Sequence, residues 1–102
     1  MSNTGPTYWT YILRCSDSSL YVGFTRDLRG RVKMHNNGQG PDYTAARLPV
    51  SVVYSEQHRC LEDALQRERQ LKRWSHAKKE ALIAGDFALL NRLTRPGASR
   101  PP

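Results

Sequence analysis

The chain has 102 residues and a formal net charge of +7, with 16 Lys and Arg against 9 Asp and Glu. That length holds one domain with a modest core and excludes two; no run approaches the roughly 18 apolar residues of a membrane span, and residues 1–6 lack the charged and apolar stretches of a secretion signal. A soluble, cytoplasmic protein is expected, in which Cys15 and Cys60, far apart and only 2 in number, stay as thiols.

Trp9 to Cys15 is rich in aromatic and β-branched residues and reads as a strand. Ser16-Asp17-Ser18-Ser19 is a turn by composition, because short polar side chains bond their own backbone. Leu20 to Phe24 returns antiparallel to complete a hairpin, and Gly23 inside it marks a close backbone approach or a bulge. Asp27 to Asn37 reads as a helix, capped by Thr25 or Asp27, with Leu28, Val32 and His35 on one stripe and Arg31 beside them. Asn36 to Pro41 ends that helix with Gly and Pro. Tyr43 to Pro49 is expected as a loop and Val50 to Tyr54 as a third strand. Three strands with a helix between the second and third indicate an α+β domain, expected to span residues 7–94.

Leu61, Ala64, Leu65 and Leu71 mark the apolar face of a helix from about Leu61 to Trp74. Glu68 occupies the middle of that stripe, where a carboxylate costs several kcal/mol unless a cation, a metal or good donors meet it. A structural ion pair and a functional site are both open explanations. Ser75 is a possible cap for a helix over Ala77 to Ala84, Gly85 breaks it, and Asp86 caps a last helix over Phe87 to Leu93. Phe87, Leu90 and Leu93 are expected to close the core, and residues 95–102 read as a disordered tail.

The positive charge is concentrated. Arg26 to Lys33 carries four bases against one acid, and Arg67 to Lys79 six bases against Glu68 alone, so these two stretches hold +3 and +5. Such a distribution suits a polyanion. The candidate contacts to it are Arg29, Lys33, Arg47, Lys72, Arg73, Lys78 and Lys79. Lys72 also stands four residues after Glu68, where pairing with it is equally open.

The chemistry of phosphodiester hydrolysis needs a group for each of four tasks. A phenol serves as base if its pKa of about 10 is lowered. An arginine offers a bidentate fork to phosphate oxygens. A single carboxylate suffices to hold Mg²⁺, an ion that keeps several waters, and histidine relays protons near neutrality. Tyr21, Arg31, Glu68 and His35 supply one residue for each.

Thr10-Tyr11-Ile12, then Tyr21-Val22-Gly23, Arg31, His35 and Glu68 resemble the GIY-YIG nuclease superfamily, in particular its small stand-alone bacterial branch. The resemblance runs from about Trp9 to Gly85 and includes Glu68-x-x-Leu71-Lys72-x-Trp74. It implies a three-stranded antiparallel sheet flanked by helices, and an endonuclease site acting on DNA with Mg²⁺ or Mn²⁺. By that similarity Tyr21 is the base or orients the water, Tyr11 hydrogen-bonds within the site, and Arg31 stabilises the transition state. His35 assists proton transfer or positions Tyr21, and Glu68 binds the metal. Thr10 stands where the family has Gly, and the late Asn of some branches has only Asn91 as a remote counterpart. No side chain is identifiable as a base reader, so sequence specificity is expected to be low. Two alternatives accompany this expectation: a nucleic-acid-binding module without turnover, and an interaction protein with a buried Arg31–Glu68 pair.

Overall fold

A computed structural model describes residues 7–94. Strand β1 (Tyr8–Arg14) lies between β2 (Leu20–Thr25) and β3 (Ser51–His58) and is antiparallel to both. Being paired on both edges, it is the most deeply buried strand, with Thr10, Tyr11, Ile12 and Leu13 all withdrawn from solvent. The hairpin to β2 closes as composition predicts. Asp17 Oδ1 accepts from the backbone N–H of Ser19 at 3.0 Å, and Ser18 takes the positive φ of 71°. The register sets Tyr11 opposite Gly23 and Leu13 opposite Tyr21.

Side chains alternate across the strands. One face carries Tyr11 and Leu13, which with Cys15 and Val50 form a core that Tyr21, Leu28, Val32 and Leu48 pack against. Helix α1 (Leu28–Asn36) supplies Leu28 and Val32, and Asp27 caps it by accepting from Gly30 N at 3.1 Å. On the other face Thr10 Oγ1 donates to Ala64 O at 2.9 Å, tying β1 to helix α3 (Leu61–Arg73), whose Ala64 and Leu71 are fully buried.

Three sequence expectations are corrected here. The loop expected over Tyr43 to Pro49 holds a short helix, α2 (Asp42–Ala45), too brief to show a period and entered through Pro41. β3 runs on to His58, with Ile12 opposite Tyr54 and Leu13 opposite Val52, so Val53 is an extra bulged residue. Its polar half escaped recognition because Glu56 meets a cation from another element. Leu61, expected on the buried stripe of α3, is 41% exposed at the start of that helix.

Arg67 of α3 forks onto Glu56, with Nε 3.0 Å from Oε1 and Nη2 2.8 Å from Oε2, and Tyr54 donates to the same carboxylate. Burial alone would raise the Glu56 pKa, but Arg67, Tyr54 and His58 together hold it below the ordinary carboxylate value. Because the folded pKa is depressed, the contribution is full above the usual carboxylate range and lost as pH falls through the folded value. Glu56→Gln is expected to cost about 2 kcal/mol at neutral pH. Urea unfolding at pH 7 and at acid pH checks this: the gap between variant and parent should close as the medium is acidified.

The chain divides between Lys72 and Arg73 into two compact units. Within the second, α4 (His76–Ala84) is capped by Ser75, whose hydroxyl accepts from Lys78 N at 3.1 Å, and Gly85 closes it at φ 70°. Helix α5 (Phe87–Thr94) starts at Asp86, whose Oδ1 accepts from Leu89 N at 3.1 Å. Phe87 does not close a core, being 63% exposed, and no residue of α5 is buried. Among the described residues no helix is long and apolar enough to cross a membrane. The expectations for residues 1–6 and for a disordered tail over 95–102 lie outside the described residues.

Candidate active site

Tyr11 is the centre of the site. It projects from the middle strand, is 1% exposed, and its Oη lies 3.1 Å from His35 Nε2. His35 sits in the last turn of α1, equally buried, and its other ring nitrogen, Nδ1, lies 2.9 Å from Thr44 Oγ1 on α2. The Thr44 hydroxyl donates to Pro41 O at 3.1 Å. A chain of hydrogen bonds thus runs from β1 through α1 to α2.

Two glycines make room for it. A Cβ on Gly23 would stand 2.5 Å from Tyr11 Oη and 2.7 Å from its Cζ, distances that side chains do not tolerate. The close approach that Gly23 signals in the sequence is therefore that of the hydroxyl end of the Tyr11 ring to the neighbouring strand. A Cβ on Gly40 would stand 2.5 Å from His35 Nδ1 and 2.9 Å from Thr44 Oγ1.

The surrounding charges converge on the same phenol. Burial pushes the Tyr11 pKa well above the ordinary tyrosine value, Tyr21 and Glu68 push it further, and Arg31 opposes them. Residues from β1, β2, α1 and α3 therefore act on one oxygen. His35 is held below the usual histidine value, by burial first and by Arg31 second, so its ring is neutral near pH 7. Arg31 is half-buried, and among the described residues no carboxylate ion-pairs with it. The buried Arg31–Glu68 pair considered from sequence is thus absent among them.

Tyr21 meets His35 through its ring. Its ring meets the His35 ring edge-on at 5.4 Å between centroids and lies roughly parallel to Tyr43 at 6.3 Å. His35 is bonded to Tyr11 instead.

Glu68 is 14% exposed, and Lys72 Nζ stands 3.3 Å from its Oε2 while remaining half exposed itself. The ammonium of Lys72 marks the place where a carboxylate mostly withdrawn from solvent calls for a positive charge. Among the described residues no three His, Cys, Asp or Glu side chains group as ligands. A single carboxylate of this kind fits Mg²⁺ or Mn²⁺, hard ions that retain waters and take further oxygen ligands from a phosphate.

The candidate polyanion contacts are spread more widely. Arg29 and Lys33 are exposed on the flank of α1 away from Arg31, beside an open groove of about 610 Å³ floored by Leu28, Val32 and Val52. Arg47 is occupied within the fold: its Nε donates to Asp17 Oδ2 at 3.0 Å, its Nη1 to Tyr43 O at 2.9 Å, and its guanidinium lies 3.9 Å from the Tyr43 ring centroid. Lys72 pairs with Glu68. In the second unit Arg73 is exposed, Lys78 lies 4.4 Å from the Trp74 ring centroid, and Lys79 is half-buried, with a pKa lowered by that burial. Sequence reasoning missed Thr44 and Gly40 as parts of the site. A threonine in a loop and a Gly-Pro at a helix end carry no signal of the histidine they enclose.

The GIY-YIG catalytic domain matches residues 7–81 of this chain. The chain belongs to the GIY-YIG nuclease superfamily. A UPF0213 protein of Staphylococcus aureus (strain Mu3) is 44% identical over 77 residues, covering 76% of this chain and 94% of that protein. The solution NMR structure of the UPF0213 protein of Bacillus halodurans matches with a TM-score of 0.51 at 37% identity, covering 76% of this chain and 83% of that one. A solution NMR structure of a protein from E. faecalis matches with a TM-score of 0.56 at 29% identity, covering 86% and 93%. The fold of this chain, α+β with a three-stranded antiparallel sheet, is therefore similar to that of the UPF0213 protein of Bacillus halodurans and of the E. faecalis protein. GIY-YIG nucleases are generally dependent on divalent metals and act on DNA.

Proposed function

We propose that this protein is a metal-dependent endonuclease that hydrolyses DNA phosphodiester bonds with low sequence specificity. The observation that carries this reading is the single phenol, Tyr11, hydrogen-bonded to His35 and within electrostatic reach of Tyr21, Arg31 and Glu68. Tyr11 is kept protonated, so it does not act as a free phenolate. Its oxygen accepts a proton from the attacking water while its own proton passes to His35 Nε2, which avoids a buried anion. That bond moves the proton-accepting role from Tyr21, as the resemblance implied, to Tyr11, and leaves Tyr21 to orient the water. Arg31 meets the negative charge that builds on the phosphate oxygens as the new P–O bond forms and the bond to the leaving sugar oxygen breaks, that oxygen taking a proton from solvent. Glu68 holds Mg²⁺ or Mn²⁺, an ion that supplies Lewis acidity and neutralises phosphate charge. Arg29 and Lys33 on α1, and separately Arg73, Lys78 and Lys79 in the second unit, are the cations we assign to phosphate contacts.

The Glu68–Lys72 pair favours a second reading, a nucleic-acid-binding module without turnover, because it satisfies the carboxylate without an ion. Incubating the protein and Glu68→Ala with single-stranded, duplex and branched DNA, with and without Mg²⁺ or Mn²⁺, separates the two. Metal-dependent cutting by the parent and none by the variant is the expected result. Salt-sensitive binding with equal background cleavage by both would leave the binding module.

A further inference from the structure

Hydrogen counting along the chain from Pro41 to Tyr11 gives one placement of the protons that satisfies every group in it. Thr44 has one hydroxyl hydrogen, and Pro41 O, which can only accept, takes it at 3.1 Å. Toward His35 Nδ1, at 2.9 Å, Thr44 Oγ1 is then left as an acceptor, so Nδ1 carries the imidazole hydrogen. The neutral ring has only one such hydrogen, so Nε2 presents a lone pair, and the 3.1 Å bond to Tyr11 has one direction, phenol to imidazole. The opposite tautomer would need the Thr44 hydrogen turned from Pro41 O to Nδ1, leaving Pro41 O with the backbone N–H of Ala45 at 2.9 Å alone, and would set an imidazole N–H against Tyr11 Oη, in a site where Thr44, His35 and Tyr11 are all within 1% of complete burial.

A second feature guards the same contact. Gly40 lies beside the Nδ1–Oγ1 bond so closely that a Cβ would touch both atoms. The groups facing His35 from the elements around it are Tyr11 from β1, Tyr21 from β2, Arg31 from its own helix and Thr44 from α2. None of them besides Thr44 bonds Nδ1.

We propose that Thr44 is a positioning residue that holds His35 in the Nδ1–H tautomer, so that Nε2 is the atom that receives the Tyr11 proton. Its catalytic consequence rests on the endonuclease reading, while its structural content does not. The threonine touches neither the DNA nor the reacting atoms and acts through the imidazole alone. For metal-binding histidines, losing the partner on the far nitrogen typically costs roughly 10- to 100-fold in function, because orientation and basicity go together, and the same two factors act on His35.

Long-range ¹H–¹⁵N correlation spectra of the imidazoles, with cleavage kinetics alongside, test this on the parent, Thr44→Val and Thr44→Ser. The parent should show His35 protonated at Nδ1 and bare at Nε2. Thr44→Val should lose that pattern and lower kcat by roughly 10- to 100-fold with KM unchanged, and Thr44→Ser should restore both. A parent spectrum with the hydrogen on Nε2 overturns the proposal, as does a folded Thr44→Val with the parent's tautomer and kcat. If Thr44→Val does not fold, the parent and Thr44→Ser spectra decide by the same criterion. The expected spectra with no DNA cut on any substrate would uphold the tautomer and sink the nuclease reading; cleavage with the opposite tautomer would do the reverse.

Discussion

Replacing Arg31 with alanine is expected to lower DNA cleavage roughly a thousandfold while leaving the fold intact. The guanidinium reaches the Tyr11 and His35 environment from one turn before His35, and among the described residues it has no carboxylate to neutralise it. A half-buried cation kept without a partner is a cost in the resting protein, and an incoming phosphate offsets it. Removing it therefore should not lower stability, and a small gain of about 0.5–1 kcal/mol is expected. Arg31→Lys keeps the charge but loses the fork that matches two phosphate oxygens, so its rate should lie between the parent and the alanine variant. Single-turnover cleavage at saturating Mg²⁺, with urea unfolding as control, measures both. A rate for Arg31→Ala within threefold of the parent would remove Arg31 from the chemistry.

Much of this site was readable in the sequence because the fold delivers its residues through local regularities. The hairpin register follows from alternation and a four-residue polar turn, and it alone places Tyr11 and Tyr21 on one face of the sheet. Helical spacing places Arg31 and His35 together, and Asp27 marks where their helix begins. Glu68 stood out because it interrupts an apolar stripe, and it remains a carboxylate largely withdrawn from water.

What was not readable depends on pairings across long stretches of chain, which leave no period behind. Arg47 looked like a free surface cation, but Asp17, thirty residues earlier, holds it. Arg67 was counted in the basic surface, yet it neutralises Glu56, which in turn lets β3 continue through four polar residues. Thr44 looked like an ordinary loop residue until α2, a single turn of helix, turned its hydroxyl toward His35. The expectation of a closing apolar set at Phe87 failed for a simpler reason. Apolar residues at helical spacing define a face without saying what covers it.

Tyr11→Phe is expected to reduce cleavage by about 10²–10⁴-fold, a larger loss than Tyr21→Phe. The substitution keeps the ring, and with it the packing against Leu13, Cys15 and Val50, but removes the oxygen to which we assign both the acceptance of the water's proton and the bond to His35. It also leaves His35 Nε2 as a buried acceptor without a donor, at a cost of about 1–3 kcal/mol. Gly23→Ala attacks the same bond from the opposite strand. Its methyl would stand 2.5 Å from Tyr11 Oη, so the phenol must leave His35 or the strands must part. Gly23→Ala should therefore share the cleavage defect of Tyr11→Phe although it retains every polar atom of the site. Single-turnover rates for the four proteins, at matched folded fractions from urea unfolding, give the comparison. If Tyr21→Phe proves the more damaging phenol substitution, the proton-accepting role returns to Tyr21, and the bond between Tyr11 and His35 becomes a brace for the strand rather than part of the chemistry.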